Sequence, residues 1–141
     1  MALIARFLID TSAAARMRHP RVGHRLAPLI EAGVVGTCAT LDAEALFSAR
    51  SPREYERLRD DRRRAYEYLP TEDRHWQSAF EAQRELAGTG RHRAVGIADL
   101  LTAVIVAEHR LTLLHYDADF EVAAEVLSLD HRWVVPRGTV P

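Results

Sequence analysis

Two apolar runs of this chain each end abruptly in an aspartate, and this feature constrains the fold more than any other. Residues 3–9 lead directly into Asp10, and residues 111–116 lead directly into Asp117. Short apolar runs bounded by polar residues predict buried strands. An ionised carboxylate avoids apolar surroundings unless it is paired or binds a metal. Each aspartate therefore needs partners at the end of its strand.

The segments around these runs alternate between helix and strand signals. Alternation of this kind predicts an α/β fold, a three-layer sandwich in which helices flank a central parallel sheet of about five strands. The length predicts a single domain over residues 1–141. The predicted strands are 3–9, 34–38, 66–70, 111–116 and 133–135, and the predicted helices are 11–18, 22–33, 40–48, 51–64, 71–87, 97–109 and 119–128.

Acidic residues from distant parts of the sequence are expected to meet at one edge of this sheet. Asp10 and Asp117 follow the carboxyl ends of their strands, where ligands bind in parallel sheets. Glu44 lies one turn into the helix after the second strand, and Asp99 lies in the first turn of a buried helix. Both helices start near the same edge, and Asp119 is a possible fifth acid.

A divalent cation would resolve the conflict between these charges. Carboxylates that are brought close together repel and raise each other's pKa, and a bound cation removes that repulsion. Oxygen ligands alone suit the hard ions Mg²⁺ and Mn²⁺, whereas zinc prefers nitrogen and sulfur. The hydroxyls of Thr11 and Ser12 are candidates for hydrogen bonds to a ligand carboxylate or to water.

Some of the acids also have ordinary structural interpretations. Asp99 could sit at a helix N-terminus because the helix dipole favours an acid there, and Asp119 could be a helix cap. Asp42 is expected to face solvent, since it lies two positions from Glu44 and cannot share its helical face. For Asp10 no local structural need is evident in the sequence.

Composition excludes several classes of active site. All 19 cationic residues are arginine, and the chain has no lysine and no asparagine. A P-loop lysine, a Schiff-base lysine, a Ser–Lys pair and a Cys–His–Asn triad are therefore excluded. The net charge of −1 decides nothing about nucleic acid, because a local arginine patch can bind phosphate on a neutral protein.

Two features bear on location. Cys38 is the only cysteine, so it cannot form an intramolecular disulfide; we interpret it as a small core residue in a reducing compartment. No apolar run reaches the ~20 residues of a membrane span, and the N-terminal stretch has no credible cleavage site. We expect a cytoplasmic protein.

Two helices carry conspicuous side chains. Residues 57–64 contain five arginines, which we interpret as a solvated, ion-paired face, with an RNA-contacting face as the alternative. In the helix over 71–87 a stripe of large side chains is interpreted as core; its members are Trp76, Phe80, Gln83 and Ala87.

Four motifs together resemble the PIN domain, specifically the VapC-type ribonuclease toxins. They are LIDTS near the N-terminus, TLDAEALF, IADLLTA and LLHYDADF, and the resemblance covers essentially the whole chain. By this resemblance the metal-binding acidic quartet comprises Asp10, Glu44, Asp99 and Asp117, and Asp119 is the auxiliary acid.

The resemblance implies a toxin that cleaves RNA. The expected activity is a Mg²⁺- or Mn²⁺-dependent endoribonuclease that cuts RNA phosphodiester bonds by metal-activated water. Asp10, Glu44 and Asp99 would hold the principal ion, and Asp117 would support it or a second ion. A cognate VapB-type antitoxin and a homodimer are the expected partners. His115 departs from the pattern, because the family commonly has a hydroxyl residue there, and we interpret it as a core or rim histidine.

Two other functions stay open. A phosphatase or phosphoaspartyl protein of similar architecture would use Asp10 as nucleophile, but such folds normally have a second acid two residues later or a lysine. Ser12 occupies that position and lysine is absent. The other alternative is a binding module that keeps the fold without catalysis, and the complete quartet argues against it.

Overall fold

The computed structural model describes residues 2–141, which build one parallel five-stranded sheet between layers of helices. The strands are Phe7–Ile9 (β1), Val35–Thr37 (β2), Glu67–Tyr68 (β3), Thr112–His115 (β4) and Asp130–Trp133 (β5). The helices are Thr11–Ala14 (α1), Pro20–Glu31 (α2), Ala39–Phe47 (α3), Pro52–Ala65 (α4), Asp73–Ala87 (α5), Ile97–Glu108 (α6) and Asp119–Ala123 (α7).

The strand order places the ends of β1 and β4 side by side. The order is β3-β2-β1-β4-β5, and every pair is parallel, which confirms the predicted α/β class. The chain adds β2 and β3 on one side of β1 and later adds β4 and β5 on the other. Strand order therefore reverses between β1 and β4, where open α/β sheets leave a crevice for ligands.

Alternation along the strands builds two cores, one on each face of the sheet. Leu8 and Leu113 pack on one face with residues of α3, α6 and α7, whereas Ile9 and Leu114 pack on the other face with residues of α1 and α2. Cys38 is fully buried in the first of these cores, as predicted. The apolar α6 is buried on most sides because α5 packs on its outer side.

Two predicted strand boundaries are wrong. β1 begins only at Phe7, because the preceding segment leaves the sheet and the backbone N–H groups of Ile4 and Ala5 donate to the Glu67 carboxylate. β5 starts at Asp130, before the predicted residue 133, and the Thr112 hydroxyl donates to the Asp130 carboxylate at 2.6 Å.

The predicted core stripe of α5 is also wrong. Trp76 and Phe80 are 39% and 46% exposed, and their rings contact each other at 6.1 Å between centroids. Small side chains let α5 approach α6 closely, so the larger side chains are left outside. The buried face consists of His75, Ala79, Ala82 and Leu86.

Asp42 does not face solvent as expected. Its carboxylate accepts hydrogen bonds from the Thr37 hydroxyl at 2.8 Å and from Arg62 Nε at 2.9 Å. This ion pair joins α3 to α4 and is half-buried.

Among the described residues, none of the helices combines the length and the apolar character that crossing a bilayer requires.

Candidate metal centre

Asp10 is buried at the point where β1 turns into α1. Its side chain is shielded, with the residue only 4% exposed, and Oδ2 accepts hydrogen bonds from Ser12 N at 3.0 Å and from Ser12 Oγ at 2.6 Å. Asp10 thus caps α1, so the expectation that it has no local structural role is wrong. Burial raises its pKa, while the bonds from Ser12 oppose that rise.

The end of β4 supplies a pair of acids. Asp117 Oδ1 accepts a hydrogen bond from Asp119 N at 2.9 Å, so Asp117 performs the local capping that one interpretation gave to Asp119. Asp119 is instead the first residue of α7. Its carboxylate, with those of Asp99 and Asp117, offers oxygens that all lie within 4.8 Å of one another. Burial, followed by the charge of Asp117, raises the pKa of Asp119.

Asp99 has the most perturbed environment of these acids. Its pKa is raised to about 7, mainly by burial and then by the charges of Asp10, Glu44, Asp117 and Asp119 in that order. Asp99 does lie in the first turn of α6, where the helix dipole favours an acid. The dipole is outweighed, because an acid that was placed only for the dipole would not hold its proton near neutral pH.

Glu44 reaches the same cluster from α3. Burial raises its pKa, and so does the charge of Asp10, whereas a hydrogen bond from the Thr11 side chain lowers it. The side chain of Thr11 thus lies near Glu44 and favours its charged form, whereas the hydroxyl of Ser12 donates directly to Asp10. The sequence predicted a hydroxyl near a carboxylate but did not indicate which carboxylate each would serve.

The five predicted acids thus form one electrostatic cluster at the crevice between β1 and β4. Its donor set is made only of carboxylate oxygens, which suits a hard divalent cation. Burial, together with repulsion from the neighbouring carboxylates, raises the pKa of Asp99 to about 7, and a bound cation would offset the cost of ionising it. The residues present therefore fit a divalent cation, and the three closest acids are Asp99, Asp117 and Asp119.

Ser12 bonds both sides of the crevice at once. Its hydroxyl donates to Asp10 and accepts a hydrogen bond from the backbone N–H of Tyr116 at 2.9 Å.

The Ser12→Ala substitution leaves the backbone N–H of Tyr116 without its partner, so we expect the free energy of unfolding to fall by about 1–3 kcal/mol. Urea denaturation checks this. Ser12→Thr keeps the hydroxyl and is the matched control; equal midpoints for Ala and wild type would contradict the role.

His115 is a hydrogen-bonded core histidine in this structure. It is fully buried, Nδ1 accepts from Asp117 N at 3.1 Å, and Nε2 contacts His131 Nδ1 at 2.8 Å. Burial, and then the nearby His131, lower its pKa to about 4. The ring is therefore neutral at neutral pH, and both nitrogens are engaged. It holds the backbone N–H of Asp117 by accepting its hydrogen bond.

The sequence did not reveal a pair of threonines that aligns α3 with α6. Thr40 Oγ1 and Thr102 Oγ1 lie 2.6 Å apart, and Thr102 is fully buried. The pair fixes the helix that carries Glu44 against the helix that carries Asp99. Cys38 is the N-cap of α3, so Thr40 lies within the first turn of that helix. The one indication in the sequence was Thr102, a polar residue within an apolar helix, which needs a hydrogen-bond partner when it is buried.

A family model described as PIN domain matches residues 7–126. Ribonuclease VapC21 of Mycobacterium tuberculosis is 42% identical over 137 residues, which cover 97% of this chain and 99% of that protein. Ribonuclease VapC51 of the same organism is 38% identical over 135 residues, covering 96% and 97% respectively. Both alignments span the cluster and the whole sheet.

Solved structures share the fold. A chain from the crystal structure of DNA-bound VapBC from Salmonella typhimurium superposes with a TM-score of 0.73 at 14% identity, covering 93% of this chain and 99% of that chain. At that identity the likeness shows the fold alone.

Proposed function

This chain belongs to the PIN-domain family, and on that premise we propose that it is a metal-dependent endoribonuclease and the toxin of a toxin–antitoxin pair. The observation that carries the proposal is the convergence of five carboxylates around Asp99. Relatives at up to 42% identity that are named ribonucleases support the reaction. We treat residues 1–141 as one PIN domain, which the single sheet and the match over 7–126 support.

We propose Mg²⁺ or Mn²⁺ as the ion. Asp99, Asp117 and Asp119 are the closest oxygen donors, and Asp10 and Glu44 complete the set that would hold or orient it. When bound, the cation supplies the Lewis acidity that activates water and stabilises charge on the phosphodiester.

The protein's own groups set the conditions for that chemistry. Ser12 fixes the Asp10 carboxylate, Thr11 lowers the pKa of Glu44, and His115 holds the backbone of Asp117. His115 is not free to act as a base, since both of its ring nitrogens are hydrogen-bonded. Asp99 must release its proton near neutral pH for the full set to bind a cation.

Proton release makes cation binding depend on pH. The pKa of Asp99 rises from 3.8 to about 7 on folding, so the folded chain binds more protons between these values. The free energy of unfolding of the metal-free protein is therefore expected to fall as the pH rises from about 4 to about 7. Mg²⁺ binds the ionised cluster and should stabilise the protein more at about pH 8 than at about pH 5.5.

Thermal unfolding with Mg²⁺ or with a chelator, at both pH values, checks this prediction. The expected result is a larger rise in melting temperature at the higher pH. An Mg²⁺ effect of equal size at both values would contradict a role for Asp99 in binding.

We propose that RNA is the substrate and that a VapB-type antitoxin neutralises the toxin. The solved structures that share the fold include VapBC complexes, which supports such a partner. Homodimer formation stays a prediction, testable by light scattering of the purified protein. Because the substrate is cellular RNA, we expect a cytoplasmic protein.

Expression in a bacterial host tests the function. We expect growth arrest, relief by the small gene product encoded beside the toxin, and new RNA 5′ ends after induction. Normal growth and unchanged 5′ ends in several hosts would contradict the proposal and favour a silent binding module.

A further inference from the structure

A basic groove lies beside the acid cluster, on the other side of α3. Its volume is about 530 Å³, and it is bounded by α3, α4 and the edge strand β3. We call it the α4 groove. Its principal lining residues are Asp42, Arg59, Arg62, Arg63, Tyr66 and Tyr68.

The α4 groove and the acid cluster share one edge of the sheet. Thr37 lines the groove and is the last residue of β2, just as Ile9 is the last residue of β1 before the cluster begins. Asp42 and Glu44, two positions apart on α3, face the groove and the cluster respectively. The two sites are therefore separated by about one helix diameter, roughly 10 Å, a distance that a single strand of nucleic acid spans easily.

The floor of the groove is held rigid. Arg62 donates to the Asp42 carboxylate at 2.9 Å and to the Thr37 hydroxyl at 3.0 Å. Its guanidinium also lies 5.0 Å from the centre of the Tyr66 ring. These contacts occupy Arg62, so it shapes the groove and is not available to an incoming anion.

Two other arginines are available. Arg59 and Arg63 lie four positions apart on α4, so their side chains emerge from the same face of the helix. Neither forms an ion pair with a carboxylate in the part of the chain that the structure describes. Paired guanidinium groups on one wall of a groove suit phosphate oxygens, which they bind in bidentate fashion.

An exposed aromatic residue lines the same groove as these cations. Tyr68 lies on the edge strand β3 and is 54% exposed, although tyrosine usually buries its ring. Arginines for the backbone and an aromatic ring for the bases are the combination by which proteins hold single-stranded nucleic acid. A double helix, whose bases are already stacked, could not use Tyr68 in this way.

We infer that the α4 groove binds a nucleotide of single-stranded RNA next to the cleaved bond, with Arg59 and Arg63 on phosphate and Tyr68 stacked on a base. The inference rests on the proposed function, because it takes the substrate of the acid cluster to be RNA. Both interpretations of residues 57–64 then hold in part. Arg62 is ion-paired, as in the interpretation of a solvated, ion-paired face, and Arg59 and Arg63 contact RNA, as in the alternative.

Binding of a fluorescent, random-sequence single-stranded RNA by the full chain tests this inference. A chelator prevents cleavage, so binding is measured apart from catalysis. The double variant Arg59→Ala/Arg63→Ala is expected to bind at least about tenfold more weakly. Its log–log salt slope should shrink by about 1.4, since each contact to a single strand contributes about 0.7.

A matched control is offered by the same helix. Arg53 and Arg57 have the same spacing, are exposed and do not line the groove, so Arg53→Ala/Arg57→Ala removes equal charge outside it. This control variant should weaken RNA binding much less.

Tyr68→Ala should weaken RNA binding roughly five- to a hundredfold, whereas Tyr68→Phe keeps the ring and most of the affinity. Unchanged melting temperatures would show that the variants fold.

The outcomes separate this inference from the proposed function. Equal weakening by both arginine pairs, or no loss in Tyr68→Ala, would overturn the groove and leave the nuclease standing. If the groove variants bound the antitoxin more weakly but bound RNA as wild type does, the groove would be assigned to a protein partner and the inference would be overturned. Groove-dependent RNA binding without cleavage in Mg²⁺ or Mn²⁺ would support the groove and contradict the proposed function. A wild type that neither binds nor cleaves RNA would contradict both.

Discussion

The Asp10→Asn protein is expected to cleave RNA at least about a thousandfold more slowly than wild type in Mg²⁺ or Mn²⁺. Asn has nearly the same shape, and its oxygen can still accept the hydrogen bonds that Ser12 donates at 3.0 and 2.6 Å. The fold and the cap of α1 should therefore survive, while the negative charge that helps to hold the cation is lost. Loss of several kcal/mol of transition-state stabilisation corresponds to a factor of this size.

Initial rates on single-stranded RNA at saturating metal measure the effect. Asp61→Asn is the control, because Asp61 is an exposed aspartate on α4 and is not one of the acids of the cluster. It should cleave within a few-fold of wild type. Cleavage by Asp10→Asn at the wild-type rate would remove Asp10 from the metal centre.

The Asp99→Asn protein is expected to be more stable than wild type without metal and yet inactive. At about pH 8 Asp99 is ionised against burial and the charges of four other carboxylates. A neutral amide escapes that repulsion, so we expect a gain of about 1–2 kcal/mol in the free energy of unfolding, a range reduced for the partial exposure of the group. Stabilisation by Mg²⁺ and RNA cleavage should both be lost.

Asp73 provides the comparison that separates a metal site from a helix-dipole site. It lies exposed in the first turn of α5, as Asp99 lies in the first turn of α6. Asp73→Asn should cost a few tenths to about 1 kcal/mol, because it loses only a favourable dipole interaction. Chemical denaturation of both variants in chelator measures this. If Asp99→Asn is destabilised as Asp73→Asn is, the helix dipole explains Asp99 and the metal centre does not.

Some features were predictable because they depend on local sequence alone. Apolar runs that end in Asp10 and Asp117 specify strands with acids at one edge, since parallel strands carry their carboxyl ends to the same side. The cap at Ser51 and the proline after it likewise specify the start of α4, and Ser51 does accept a hydrogen bond from Glu54 N at 3.1 Å. In such places the local preferences agree with the fold.

Other features depend on which side of an element meets its neighbour. The large residues Trp76 and Phe80 suggested the buried side of α5, but the close approach to α6 selected Ala79 and Ala82. Helical spacing could not reveal this choice, because both stripes have the same period. The capping role of Asp10 was overlooked, although the predicted helix over 11–18 already begins one residue after it, as α1 does.

The side-chain contacts across the site were the least predictable part. The bonds of Ser12 to Tyr116 and of Thr40 to Thr102 join residues that are 104 and 62 positions apart. Their partners are set by the packing of strands and helices, which no local pattern encodes. The acids of the cluster were therefore predictable from the sequence, whereas the hydroxyl groups that hold their supporting elements together were not.

Anomalous diffraction from crystals grown with Mn²⁺ tests the central claim most directly. The claim is that carboxylates carried by four separate segments of the chain form one cation site at the crevice between β1 and β4. The expected result is an anomalous peak at about 2.0–2.2 Å from carboxylate oxygens of Asp99 and of Asp117 or Asp119, with Asp10 and Glu44 around it. A crystal saturated with Mn²⁺ that shows no peak among these acids would contradict the claim.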